Sequence, residues 1–435
     1  MSIAFIFPTK SLFASSSNSG FTLCISAARR TFSSTSTLYA KKKMPPKKMQ
    51  TAPKVLWGRP GNNLKTGIVG LPNVGKSTFF NAITKSELGQ AANFPYATID
   101  PEEARVAVSD ARFDWLCQFY KPKSQVPASL TVFDIAGLTR GASTGVGLGN
   151  AFLSHVRAVD AIYQVVRAFD DAEITHVEGD VDPIRDLDII HEELRIKDAE
   201  FVNKHLEVVK AFTKRGGQSL EMKAKKEEEA TLERLLKLLT EEKKDTRKGE
   251  WTNKEIEFIN TLLLLTAKPV IYLVNLSEKD YLRQKNKHLA RIKAWVDENA
   301  PGDLIIPFSV AFEDRLTRMT HEEVVAECKE LNTKSMLPKI VDAGRAALNL
   351  INYFTCGPDE VRSWTIRANT KAPQAAGVIH TDFEKNFVVG EIFKYDDLKE
   401  LGSEAEVKAK GKYMTKGKEY IVENGDICFW KAGRK

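Results

Sequence analysis

The chain is 435 residues long, which allows two to four domains with a real core. Its formal charge of +7 is concentrated in residues 1–50, which hold eight Lys/Arg and no Asp or Glu; the 56 basic and 57 acidic residues that remain nearly cancel and give no global case for nucleic acid. No apolar run approaches 18 residues, which speaks against a membrane-spanning helix, and five scattered cysteines without a CxxC pair speak against a disulfide framework or a zinc site.

The first forty residues are rich in Ser and Thr, carry Arg29-Arg30 and lack acids, the composition of an organellar presequence. Met44-Pro45-Pro46-Lys47-Lys48 makes an alternative start for a cytosolic chain. The expectation is a disordered extension over 1–62 and a cytoplasmic protein, or a mitochondrial one should residues 1–43 be a genuine presequence.

Lys65 to Val69 reads as a buried strand, and Thr78 to Ile83 as a helix. Between them Gly70-Leu71-Pro72-Asn73-Val74-Gly75-Lys76-Ser77 is a Walker A phosphate loop. Its glycines let backbone N–H groups curl around a β-phosphate, Lys76 supplies a point charge to the β- and γ-phosphates, and the Ser77 hydroxyl is a Mg²⁺ ligand. The chain is therefore expected to bind a nucleoside triphosphate.

Thr98, in Asn93 to Pro101, stands where a first switch would give Mg²⁺ a second hydroxyl. The strand Ser129 to Phe133 ends in Asp134-Ile135-Ala136-Gly137, which places Asp134 to hold Mg²⁺ through water and Gly137 to offer its N–H to the γ-phosphate. Leu138 follows where Ras-like enzymes carry a water-orienting Gln, so hydrolysis is expected to be slow or to use another group. His176 is a candidate for positioning that water, and Asn73 for coordinating a monovalent cation. Residues 141–149 are Gly-rich, as suits a segment ordered by the γ-phosphate.

Val156 and Val159 share a helical face with Phe152 ahead of the strand Ala161 to Val166, and further strands appear at Pro269 to Val274 and Leu304 to Phe308. The series predicts a doubly wound parallel sheet with its ligand at the carboxyl ends of the strands. Residues 186–262 interrupt it. They lack Pro, are dense in Glu, Lys and Leu, and carry the stripe Leu232, Leu235, Leu236, Leu239; two long helices turning near Gly216-Gly217 are expected.

The strand Val270 to Val274 leads into Asn275-Leu276-Ser277-Glu278-Lys279-Asp280. A GTPase would carry N-K-x-D here, but Leu276 replaces the lysine and Glu278 the aspartate, a loss of roughly 1–3 kcal/mol in guanine discrimination. Main-chain groups at Leu276 and the Asn275 amide are candidates to read adenine; Asp280 shifting into the acceptor role would restore GTP. Ser309-Val310-Ala311 fits the loop that backs the base. After 348, the runs around Asn424-Gly425 predict a hairpin within a small α+β unit, with a helix over Tyr395 to Leu401.

Gly70 to Thr78, Asn93 to Pro101, Asp134 to Leu138, Gly147-Leu148-Gly149-Asn150 and Asn275 to Asp280 together resemble the YchF subfamily of Obg-like ATPases. Lys371 to Gly377 and His380-Thr381-Asp382-Phe383 look like its C-terminal TGS domain, and Gly58 to Asn63 looks like fungal members. The resemblance implies an α/β fold: a Ras-like P-loop domain (63–185 and 263–347), a helical coiled-coil insertion (186–262), and a β-grasp, ubiquitin-like TGS domain (348–433). It implies ATP preferred over GTP, Mg²⁺, and association with the ribosome, its large subunit, through the arm and TGS domain. Carried onto this chain, Asn73, Val74, Gly75, Lys76, Ser77 and Thr78 bind phosphates, Ser77 and Thr98 bind Mg²⁺, and the Leu276 backbone meets the base. A monomer off the membrane is expected. The rival readings are a conventional GTPase, a phosphotransferase and an interaction protein with little turnover.

Overall fold

The computed structural model describes residues 55–86, 103–135, 137, 149–171 and 173–433. A first six-stranded sheet contains β1 (Lys65–Val69), β2 (Glu103–Ala107), β4 (Ser129–Asp134), β5 (Ala161–Arg167), β6 (Val270–Asn275) and β7 (Leu304–Phe308), while β3 (Ser124–Val126) lies elsewhere. The order is β2-β4-β1-β5-β6-β7, parallel except for β2 against β4. β5 and β6 are buried at every position, as central parallel strands covered on both faces must be. The helix Leu337–Ala347 packs so closely on β5 that the fully buried Tyr163 hydroxyl donates to the Ile340 carbonyl at 2.7 Å.

The insertion is a hairpin of Pro183–Thr213 and Leu220–Thr240, capped by Asp182 and Ser219. Gly216 (φ +72°) and Gly217 (φ +129°) make the turn in backbone regions that side chains rarely enter. Where sequence suggests two helices there is a third, Asn253–Leu262, started by a Thr252–Glu255 capping box. Its Ile259 and Leu262 close the arm's base over Leu232, Leu235 and Leu239.

β8 (Leu350–Cys356), β9 (Glu360–Arg367), β10 (Phe387–Lys394), β11 (Met414–Lys416) and β12 (Asp426–Ala432) form the second sheet. Their order, β11-β10-β12-β8-β9 with β12 parallel to β8, is that of a β-grasp. The Asn424-Gly425 turn forms, with Gly425 at φ +94°, but it serves no hairpin. Tyr420 to Glu423 makes a single bridge, Lys371 to Ile421, because buried Asp426 gathers the Tyr420 hydroxyl and the Glu423 N–H and folds that segment into a loop.

Two connections cross the expected boundaries. β3 leaves the first sheet and pairs in parallel with β9, a sixth strand on the β-grasp. The preceding helix, Ala111–Tyr120, buries Phe113, Leu116 and Cys117 against Phe354, Val361 and Phe393. The second is a correction to the disordered extension: residues 55–62 are a bonded strap. Asn260 holds the Leu56 carbonyl and the Gly58 N–H at 2.9 and 2.8 Å, Arg59 pairs with Asp160 at 2.6 Å, and Arg367 donates to the Arg59 carbonyl at 2.8 Å. One short segment thus ties the arm's base, the first sheet and the β-grasp together.

Candidate nucleotide site

The phosphate loop hangs between β1 and the helix Lys76–Lys85. Asn73 (φ +61°) and Gly75 (φ +101°) bend it, and Gly75 begins the helix with no side-chain acceptor on the first-turn N–H groups, which an anion can therefore take. A Cβ on Gly75 would lie 2.6 Å from Asn275 Nδ2, and one on Gly70 2.7 Å from the Val165 carbonyl, so neither position admits a larger residue without movement. Lys76 is buried and its Nζ donates to the Leu71 carbonyl at 2.7 Å. Burial pushes its pKa down to about 8, against the raising pull of Asp134. Phosphate oxygens arriving here would hold that ammonium in its charged form.

Asp134 closes β4 beside Ile68 of β1. Gly137 lies against the loop; a Cβ there would come within 3.1 Å of Lys76 Nζ. Ser77 and Thr78 are exposed on the helix's first turn. The Ser77 hydroxyl and the Asp134 carboxylate are hard oxygen donors, and phosphate oxygens would have to complete the shell of any hard cation held here. Thr98 and Leu138 lie outside the described residues.

The base-reading side departs from expectation. Asn275 does not present its amide to a base: Nδ2 donates to the Val74 carbonyl at 2.9 Å, and Oδ1 accepts from the Val310 N–H at 3.0 Å. It clasps the phosphate loop to the last β–α loop. The Leu276 N–H donates to the Phe308 carbonyl at 2.8 Å, so its carbonyl is the main-chain group left to meet a base. Glu278 Oε1 accepts from Arg315 at 2.7 Å, and Arg315 also reaches Glu327 at 2.6 Å. Asp280 accepts from Asn286 at 2.8 Å. Ser309 is fully buried, and its Oγ takes the Phe312 N–H to start the helix Val310–Leu316, a cap rather than a ligand contact.

His176 is likewise corrected. It is 4% exposed, buried rather than open to a hydrolytic water. Its Nδ1 accepts from the Glu178 N–H at 3.2 Å, which leaves the proton on Nε2, 2.9 Å from Asp186 Oδ2. Both nitrogens are engaged by protein partners. The ring anchors its loop to the arm's first helix, and burial raises the Asp186 pKa against the pull of His176. The neighbouring Thr175 carbonyl accepts from Asn73 Nδ2 at 3.1 Å, so the anchored loop borders the phosphate loop. Arg167, unnoticed in sequence, moulds the same loop. Nearly fully buried at the end of β5, it donates to the carbonyls of Phe169, Asp171 and Ile174. An arginine ending a strand whose only other polar side chains are Gln164 and the Tyr163 hydroxyl was the available signal.

Residues 65–204 match a family described as a 50S ribosome-binding GTPase, and residues 350–433 one named for the YchF GTPase C-terminus and described as of unknown function. The chain is 74% identical over 392 residues to the Obg-like ATPase 1 of Schizosaccharomyces pombe, covering 90% of this chain and 100% of that protein. Identity to the Saccharomyces cerevisiae Obg-like ATPase 1 is 62%, over 90% and 99%. That to the Gallus gallus protein of the same name is 57%, over 86% and 93%. A solved structure of the Schizosaccharomyces pombe YchF GTPase superposes with a TM-score of 0.82 at 74% identity, covering 87% of this chain and 100% of that one. The chain belongs to the YchF-type Obg-like ATPases, P-loop nucleotide hydrolases that join a GTPase-type domain to a YchF C-terminal domain.

Proposed function

We propose that this hydrolase prefers ATP to GTP, uses Mg²⁺ held by Ser77, Thr98 and Asp134, and acts in the cytoplasm as a switch on the ribosome. The observation that carries the ATP preference is the Glu278–Arg315 pair: the carboxylate at the guanine-reading position is bonded to a guanidinium that also bonds Glu327. Asp280, the rescue acceptor for guanine, is occupied by Asn286. Guanine would have to displace one of these partners to gain its two hydrogen bonds, whereas adenine asks for an acceptor that the Leu276 carbonyl supplies. Competitive titration tests the reading. ATP should bind more tightly than GTP by about tenfold or more; tighter GTP binding would sink the proposal and favour the conventional GTPase.

The ribosome role is supported by the arm's tip, where Lys214, Arg215, Lys223 and Lys226 are exposed around Leu220, itself 88% exposed. Such a tip suits a phosphodiester backbone. No described helix is long and apolar enough to cross a membrane. Co-sedimentation with large subunits should depend on nucleotide and weaken steeply with salt. Equal co-sedimentation with ATP, with ADP and in Lys76→Ala would favour a protein whose nucleotide is structural.

A further inference from the structure

At the end of β1 opposite the phosphate loop, the first sheet and the β-grasp enclose a cavity of about 390 Å³. It opens where β3 stops. The two strands pair only as far as Val126 and Arg362, after which Pro127 leads the chain into β4. Beyond that point the outer edge of β9 has no strand beside it among the described residues. The Arg367 N–H points outward to Asn62 Oδ1 at 2.9 Å, and peptide groups alternate along a strand, so those of Thr365 and Ser363 point outward as well, toward the cavity.

The side chains there favour an anion. Arg362 stacks on Trp364 with its guanidinium carbon 4.0 Å from the ring centroid, a contact that uses the guanidinium face and leaves its N–H fork for an acceptor in the plane. Lys65 and Arg105 bring two more cations, against Glu103 as the one carboxylate lining the cavity among the described residues, 3.6 Å from Lys65 Nζ. The outward N–H groups of Ser363 and Thr365 add uncharged donors along this open edge.

We propose that this cleft is a second anion site, separate from the phosphate loop, which takes a small phosphorylated molecule of about diphosphate size. Arg362 grips the phosphate in its fork, the outward N–H groups of the open β9 edge donate to it, and Lys65 and Arg105 balance the charge. The walls belong to both sheets, with Asn62 and Asn63 of the strap at the rim, so an occupant bridges the nucleotide domain and the β-grasp.

The test is calorimetric titration of inorganic pyrophosphate into full-length Lys76→Ala, with Lys76→Met as a second background that keeps the aliphatic stem. Both remove the loop's charge, and the Arg362 variants assign the remaining signal to the cleft, so the outcome does not depend on which nucleotide that loop prefers. Binding of one pyrophosphate per chain is expected, weakened about tenfold or more by adding Arg362→Ala and partly recovered by Arg362→Lys. In the otherwise wild-type chain, Arg362→Ala should leave ATP affinity unchanged. No binding at millimolar pyrophosphate, or binding indifferent to Arg362→Ala, overturns the proposal.

Discussion

Asn275 is the residue on which the shape of the phosphate loop turns, and Asn275→Ala tests that directly. The amide is 3% exposed and makes two buried hydrogen bonds, at 2.9 Å to the Val74 carbonyl and at 3.0 Å from the Val310 N–H. Alanine leaves both backbone groups unpaired in a site closed by Gly75. Each unsatisfied group costs about 1–3 kcal/mol, and partial relaxation or an entering water recovers some of it. A net loss of about 3 kcal/mol follows, or roughly 6–12 °C in the melting of the nucleotide domain.

Nucleotide affinity should fall as well, because Val74 lies inside the loop whose N–H groups hold phosphate. Should half the loss fall on the bound conformation, affinity drops about tenfold. Asn275→Asp is the sharper comparison: it keeps the acceptor for Val310 but turns a carboxylate oxygen toward the Val74 carbonyl, so it should do at least as much harm as alanine. Calorimetric melting and equilibrium titration with a fluorescent ATP analogue read the two effects. Asn275→Ala that melts with wild type and binds within twofold of it would refute the clasp and return Asn275 to the base.

Gly344→Ala should destabilise by about 1–3 kcal/mol, because its Cβ would fall 2.0 Å from the Tyr163 hydroxyl and 3.1 Å from Leu130 Cδ2 in a filled core; Tyr163→Phe in the same chain should recover part of the loss. Glu313, 1% exposed and holding Ser335 Oγ and the Met336 N–H at 2.7 Å, has its pKa raised to about 7 by burial. Raised in the fold, it contributes stability that is whole below the unfolded value of 4.5 and is lost as pH climbs through about 7, a swing of about 3 kcal/mol. Glu313→Gln should therefore gain on wild type in urea melts at pH 8 relative to pH 5, and parallel curves would refute it. His176→Ala strands the buried Asp186, so melting temperature, ATP affinity and turnover should fall together; lost turnover with stability and affinity intact would restore His176 to the chemistry.

The architecture was legible wherever a short contiguous pattern decides it. The phosphate loop shows between a strand and a helix, the arm shows by its leucine stripe, and the apolar runs of β5 and β6 show as central strands. What sequence hid depends on partners far along the chain. β3 is three residues long and finds its neighbour at Glu360 to Arg362, and residues 55–62 look disordered until Asn260, Asp160 and Arg367 bond them. The candidate site divides the same way, along burial. Ser77, Thr78 and Asn73 are exposed, and among the described residues the motif's assignment of them to a ligand meets no competing demand beyond the Thr175 carbonyl held by Asn73. Asn275, Ser309 and His176 are buried, and a buried polar group must find partners inside the protein. A motif specifies which residue types stand near a phosphate. It does not say whether the fold has already claimed their hydrogen bonds, and that claim separates the residues that can meet the nucleotide from those that hold the loop in shape for it.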